Sequence, residues 1–159
     1  MLFFHINISG CPGSFTVPRH PRLNICEFHW WNEVSHDVAR TGTATVFPHT
    51  IAMAAFDPEL LEQVADAIFT AGCAKYNKSL EFGGRDICKN LTYRFPNINI
   101  FRDPRWRNGQ ETYGEGPFLT ASLGVSYVKG LQSGGKYLKT AGCTKHFSAH
   151  SGRAAPPHL

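Results

Sequence analysis

Three short clusters in this sequence carry side chains able to grip a hydroxyl-rich ligand. Arg102-Asp103-Pro104-Arg105-Trp106 combines guanidinium, carboxylate and indole groups, and Lys145-His146-Phe147 adds an ammonium beside an imidazole. Trp30-Trp31-Asn32-Glu33 contributes two further indoles, an amide and a carboxylate. A sugar ring needs donors and acceptors placed around its rim. Arg102, Lys145 and His146 can donate, while Glu33 and Asp103 can accept hydroxyl hydrogens. Trp106 or Trp30 could lie against the apolar C–H face of the ring, since large aromatic side chains make broad contacts. Two plainer assignments stand beside these: Asp103 with Arg105 as a local salt bridge, and Trp30-Trp31 as core. The pair His146 and His150 has an i, i+4 spacing, but the glutamate of H-E-x-x-H is missing and no third ligand is obvious. Neither a metal nor a cofactor is expected.

These clusters need a scaffold that brings them together. Residues 43–47, Thr-Ala-Thr-Val-Phe before Pro48, are β-branched and apolar and read as a buried strand. Asp57-Pro58-Glu59 then opens a helix: Asp57 as N-cap, Pro58 in the first turn, Glu59 at the positive end of the dipole. Leu60, Leu61, Val64, Ala65, Ile68 and Ala71 continue one apolar stripe to about Tyr76. A polar, glycine-containing loop is expected over 77–90, then extended chain over 91–93 and, beyond Pro96, over 98–101. Residues 117–132 repeat the helical pattern through Phe118, Leu119, Leu123, Tyr127, Val128 and Leu131, until Gly134-Gly135 breaks it. Residues 137–144 read as a third strand, and 23–28 as a possible short one. Strand, helix, strand, helix, strand implies βαβ units and a parallel sheet, because parallel neighbours need a long crossover. The ligand-gripping clusters fall just after strands, where parallel α/β folds collect their function.

Composition narrows the field. The 159 residues include 12 Phe, 5 Tyr, 3 Trp, 15 Gly and 10 Pro, with 18% charged residues, which argues against disorder and for many specific loops. The formal charge is +4, but Lys and Arg are scattered, whereas a nucleic-acid binder clusters them on one face. No run approaches the ~18 apolar residues of a membrane span, and the apolar start lacks the basic region of a secretory signal. The 5 Cys include no C-x-x-C and read as ordinary small buried residues. Three N-x-S/T triplets, at Asn7, Asn77 and Asn90, carry little weight.

Residues 95–106, F-P-N-I-N-I-F-R-D-P-R-W, resemble the S-P-N-I-N-I-F-R-D-P-R-W stretch of family 3 glycoside hydrolases, and the likeness continues through Gly109-Gln110-Glu111-Thr112-Tyr113-Gly114-Glu115. Trp30-Trp31-Asn32-Glu33, Ala44-Thr45-Val46-Phe47-Pro48, Phe56-Asp57-Pro58-Glu59-Leu60 and Lys145-His146-Phe147 follow in family order. The resemblance covers about residues 21–152 and is greatest to the bacterial β-xylosidase and β-glucosidase branch. It implies an α/β chain forming part of a (β/α)8 barrel, about three βα units, that binds a β-linked oligosaccharide or glycoside at its carboxyl face. On matching positions Arg102, Lys145 and His146 stand where the family's glycone donors stand, and Glu33 where an acidic acceptor does; Asp103 and Trp106 would support them. The family is retaining, with an Asp nucleophile and a separate acid/base.

The sequence also departs from the family. Asp37 replaces Gly, Arg94-Phe95 replaces Trp-Ser, Arg107-Asn108 replaces Gly-Arg, and Gly116 replaces Asp before Pro117; one residue is missing between Ala55 and Phe56. Residues 1–21 read as an irregular segment, 22–152 as a partial family 3 N-terminal domain, and 153–159 as a tail that matches nothing in the family. The tail reads as the mark of a truncated or frame-disrupted sequence. Neither catalytic carboxylate has a counterpart here, and a full barrel takes about 250 residues. The expected function is therefore that of a β-glucosidase or β-xylosidase by family, with a chain that is inactive alone. The alternative is a non-catalytic sugar-binding or interaction remnant. Its partners would be the remainder of such an enzyme, or a second copy meeting exposed sheet edges.

Overall fold

The computed structural model describes residues 16–84, 88–133, 135–147 and 150. Most of the irregular N-terminal segment and all of the 153–159 tail lie outside them. The described chain is α/β. In order it contains β1 (Thr16–Val17), a 3-10 turn at Pro21–Leu23, β2 (Phe28–His29), α1 (Thr50–Met53) and α2 (Pro58–Glu81). These are followed by β3 (Thr92–Tyr93), a 3-10 turn at Gly109–Glu111, α3 (Pro117–Gln132) and β4 (Ala141–Gly142).

Both long helices form where the sequence predicts them, but Leu60 and Phe118, read as members of their apolar stripes, lie exposed in the first turn of each. Asp57 accepts a hydrogen bond from the Leu60 N–H at 2.9 Å, satisfying one of the first-turn donors that have no partner inside the helix. Leu61, Ala65, Ile68, Phe69 and Gly72 are buried along one face of α2. On α3 the buried side chains are Thr120, Leu123, Ser126, Tyr127 and Leu131, again at three- and four-residue steps, with Gly124 and Gly130 between them. The two helices pack on each other. A Cβ at Gly130 would meet the Glu62 carbonyl and lie 2.7 Å from the Ala65 Cβ, so glycine permits the close approach. The core joins these faces to Val34, Val38, Tyr93, Phe95 and Tyr113.

A central extended segment, 91–101, organises the rest. On one side β3 pairs in parallel with β4, and Asn97 bridges in parallel to Lys145. On the other side the Asn32 carbonyl accepts from the Arg94 N–H at 2.9 Å, and Asn97 bridges in parallel to Thr112. Asn32 also donates from Nδ2 to the Thr92 carbonyl at 2.6 Å, and its Oδ1 accepts from the Asn90 N–H at 3.2 Å. Buried amides of this kind stand in for a missing backbone ladder.

Four further expectations change. Residues 43–47 are not a strand: Phe47 N–H donates to the His36 carbonyl at 2.8 Å, Val46 is 66% exposed, and no neighbouring strand pairs with the segment among the described residues. β-branched composition cannot make a strand without a partner edge. The 23–28 segment contributes only Phe28 to a strand, and β2 pairs antiparallel with β1, outside the parallel set. Of 137–144 only Ala141–Gly142 is strand, while Tyr137 and Leu138 lie exposed. Helix α2 runs past Tyr76 to Glu81, since nothing between them breaks a helix; Gly83, at φ 70°, follows its end.

Candidate glycone-binding site

Lys145 sits at the last pairing with the central segment, and its side chain is 9% exposed. Its Nζ lies over the Phe95 ring, 5.8 Å from the centroid. From there it crosses the central segment to two carboxylates on the far side: Glu33 Oε2 at 3.2 Å and Glu111 Oε2 at 2.8 Å. The Glu33 contact is an aligned hydrogen bond. Glu111 Oε2 is buried and takes no aligned hydrogen bond, so Lys145 holds it as an ion pair; Oε1 of Glu111 accepts from Asn108 Nδ2 at 2.8 Å. An ammonium has three donors, and two carboxylates leave one for a ligand. A buried charge must be paired, and this pairing presents the ammonium without stranding it.

His146 follows directly. Its backbone N–H donates to Asn99 Oδ1 at 2.8 Å, and its ring Nδ1 lies 2.8 Å from that same oxygen. Burial, then the neighbouring His150 and Lys145 charges, hold the His146 pKa below its ordinary value, against the opposing pull of Glu111. The imidazole is therefore neutral at neutral pH. Arg94 adds a smaller contribution to the lowering.

The other expected residues are placed differently. Arg102 is exposed, donating from Nη1 to the Ile100 carbonyl at 3.4 Å, a long contact. It directly follows the central segment, and no hydrogen bond or ion pair joins it to Lys145 or His146 among the described residues. Asp103 is committed locally: Arg105 donates to it from Nε at 3.0 Å, from Nη2 at 2.7 Å and from its backbone at 2.9 Å, and these bonds hold its pKa at about 2. Trp106 is 3% exposed, packed toward Phe101 and His150, with no broad face free in this structure. Trp31 is half-buried and carries the Arg94 guanidinium over its ring at 4.7 Å. Glu111 and Asn99 lie inside the resembling stretch, but residue type alone assigns them no partner. Only the fold carries Glu111 to Lys145 and Asn99 to His146. A cavity of about 550 Å³, lined in part by Lys75, Tyr76, Cys88 and Tyr93, includes none of Glu33, Lys145 or His146.

The described chain is α/β, with the Lys145 ammonium ion-paired to Glu33 and Glu111 beside the central extended segment. The profile of the glycosyl hydrolase family 3 N-terminal domain matches residues 20–159. The chain belongs to that family. It is 47% identical over 140 residues to a xylan 1,4-beta-xylosidase of Xylanibacter ruminicola, covering 85% of this chain and 16% of that protein. It is 41% identical over 143 residues to beta-D-xylosidase 1 of Arabidopsis thaliana, covering 82% and 17%. Among solved structures, a GH3 exo-beta-xylosidase in complex with a xylobiose aziridine activity-based probe superposes with a TM-score of 0.67 at 31% identity, covering 83% of this chain and 18% of that one. The 159 residues thus span less than a fifth of the length of these proteins.

Proposed function

We propose that these residues form the glycone-holding part of a retaining β-glycosidase acting on β-xylosides, with β-glucosides as the neighbouring substrate class. The observation that carries this reading is the Lys145 ammonium held between Glu33 and Glu111 and followed at once by His146. Lys145 donates to a ring hydroxyl, Glu33 accepts from one, and Arg102 closes over the sugar from the exposed end of its segment. Asp103 supports by fixing the turn that carries Arg102, and Trp106 by packing beneath it. Xylose is favoured because the relatives in sequence are xylosidases, and one relative of known structure is in complex with a xylobiose aziridine probe.

The nucleophile and the acid/base lie outside residues 1–159 in this reading, since retaining hydrolysis needs two carboxyl groups about 5–5.5 Å apart on either side of the scissile bond. Glu33 and Glu111 each give one carboxylate oxygen to Lys145, which fits a holding role rather than either catalytic one. The test separates binding from turnover. Xylobiose should perturb the tryptophan fluorescence of the purified chain, and Lys145→Met should weaken the binding roughly 10- to 100-fold, the scale of ~1.5–3 kcal/mol for a charge-assisted hydrogen bond. The same preparation should release no nitrophenol from an aryl β-xyloside. Unchanged affinity in Lys145→Met would refute the site, and turnover abolished by Glu33→Gln would refute its division of labour.

A further inference from the structure

We propose that Asn99 fixes His146 as the tautomer protonated on Nδ1, which makes Nε2 an acceptor for the hydrogen of a sugar hydroxyl. This rests on the glycone reading for the identity of the ligand, but the tautomer itself does not.

The backbone N–H of His146 can only donate, and it points at the Asn99 side chain at 2.8 Å. The atom it meets must therefore be the amide oxygen, because the amide NH2 would set two donors against each other. That oxygen also lies 2.8 Å from His146 Nδ1. A carbonyl oxygen cannot donate, so Nδ1 carries the proton. In a neutral imidazole with Nδ1–H, Nε2 bears the lone pair. Nε2 has no hydrogen-bond partner among the described residues. Asn99 is itself held in place: it is 8% exposed, and its N–H donates to Asn97 Oδ1 at 3.1 Å, with Asn97 fully buried and bridged on both sides. The groups around the ring are His150, whose ring centroid lies 4.5 Å away, with Lys145, Glu111 and Arg94 acting electrostatically; their net effect together with burial keeps the imidazole neutral.

The consequence reverses what the residue type suggests. Lys145 and His146, adjacent in sequence, offer a donor and an acceptor, a pair matched to a hydroxyl group that both accepts and donates. Asn99 is a positioning residue in this scheme, and the specificity it sets is for a hydroxyl over any group that accepts only, such as fluorine or a methyl ether.

Long-range 1H–15N correlation spectra of the full chain, labelled with 15N-histidine, test this without a variant. His146, assigned by the loss of its signals in His146→Gln, should show a protonated Nδ1 and an unprotonated Nε2 at neutral pH. A protonated Nε2 would overturn the proposal. Asn99→Ala should give a mixture of tautomers. Asn99→Asp, which keeps the acceptor and adds a charge, should retain Nδ1–H and raise the pH at which the ring protonates; an unchanged spectrum in both would leave Asn99 no positioning role. Xylobiose should then shift Nε2 more than Nδ1. Binding that leaves Nε2 unmoved would overturn the acceptor role. An absence of any xylobiose binding would overturn the glycone reading and the ligand half of this proposal, while the Nδ1–H signal would still uphold the tautomer.

Discussion

Asp103 and Arg105 neutralise each other in a fork-to-fork pair at the surface, next to the exposed Arg102. The side-chain bonds from Arg105, then its backbone N–H, depress the Asp103 pKa to about 2. A depressed carboxyl contributes stability above its unfolded pKa of about 3.9 and loses it as pH falls through the folded value. The turn carrying Arg102 should therefore hold from neutral pH down to about 4 and loosen by about 2. Carbonyl 13C titration of Asp103 should give a midpoint near 2, moving up toward ~4 in Arg105→Gln. A wild-type midpoint already near 4 would show that the pair does not persist in solution. Its value lies in fixing the turn, since exposed ion pairs add little to overall stability.

At the scale of elements, the contact between α2 and α3 holds the central segment in place. Tyr127 on α3 carries its hydroxyl to the Val34 carbonyl, one residue from Glu33, so the same helix that buries the core also aims the acceptor. Burial and the surrounding Tyr113, Asp37 and Tyr93 push the Tyr127 phenol far above its ordinary pKa, so it stays protonated and able to donate. Gly130 sets how near the helices come. Gly130→Ala must push a methyl toward the Glu62 carbonyl and Ala65, and overpacking of this kind costs about 1–3 kcal/mol. The melting temperature should fall by about 2–4 °C for each kcal/mol, as read by circular dichroism. An unchanged melting curve would mean that α2 and α3 are further apart than described.

At the scale of the whole molecule, the described chain leaves much apolar surface in water. Phe118 is 87% exposed, Phe56 80% and Tyr137 74%, and β4 has β3 as its one strand partner among the described residues. Each large apolar side chain left wet forgoes ~1.5–3 kcal/mol of burial, and a few such losses rival a domain's net ~5–15 kcal/mol. An open strand edge also invites pairing with another chain. The purified 159-residue polypeptide should therefore scatter light increasingly with concentration and unfold in urea over a broad transition. A monomer with one sharp cooperative transition would show that the α2–α3 core suffices alone.

What the sequence determines by itself is local or is carried by long specific motifs. The start of α2 is legible because Asp57, Pro58 and Glu59 act within one turn, and the apolar faces of α2 and α3 are legible because their periodicity is geometric. The family is legible in residues 95–106, where the order of side chains is too specific to arise otherwise. Strands are not legible to the same degree: 43–47 has strand composition but pairs with no strand among the described residues, whereas 97 and 145 pair without strand composition, through the Ile98 N–H to the Lys145 carbonyl and the Lys145 N–H to the Pro96 carbonyl. The site divides in the same way. Lys145, His146 and Glu33 can be named from residue type and resemblance, yet their contacts span 112 residues from Glu33 to Lys145 and 47 from Asn99 to His146. No local rule encodes a distance of that kind. The tertiary structure decides it, because a buried ammonium must be neutralised by whichever carboxylates the folded chain brings within reach, and here those are Glu33 and Glu111.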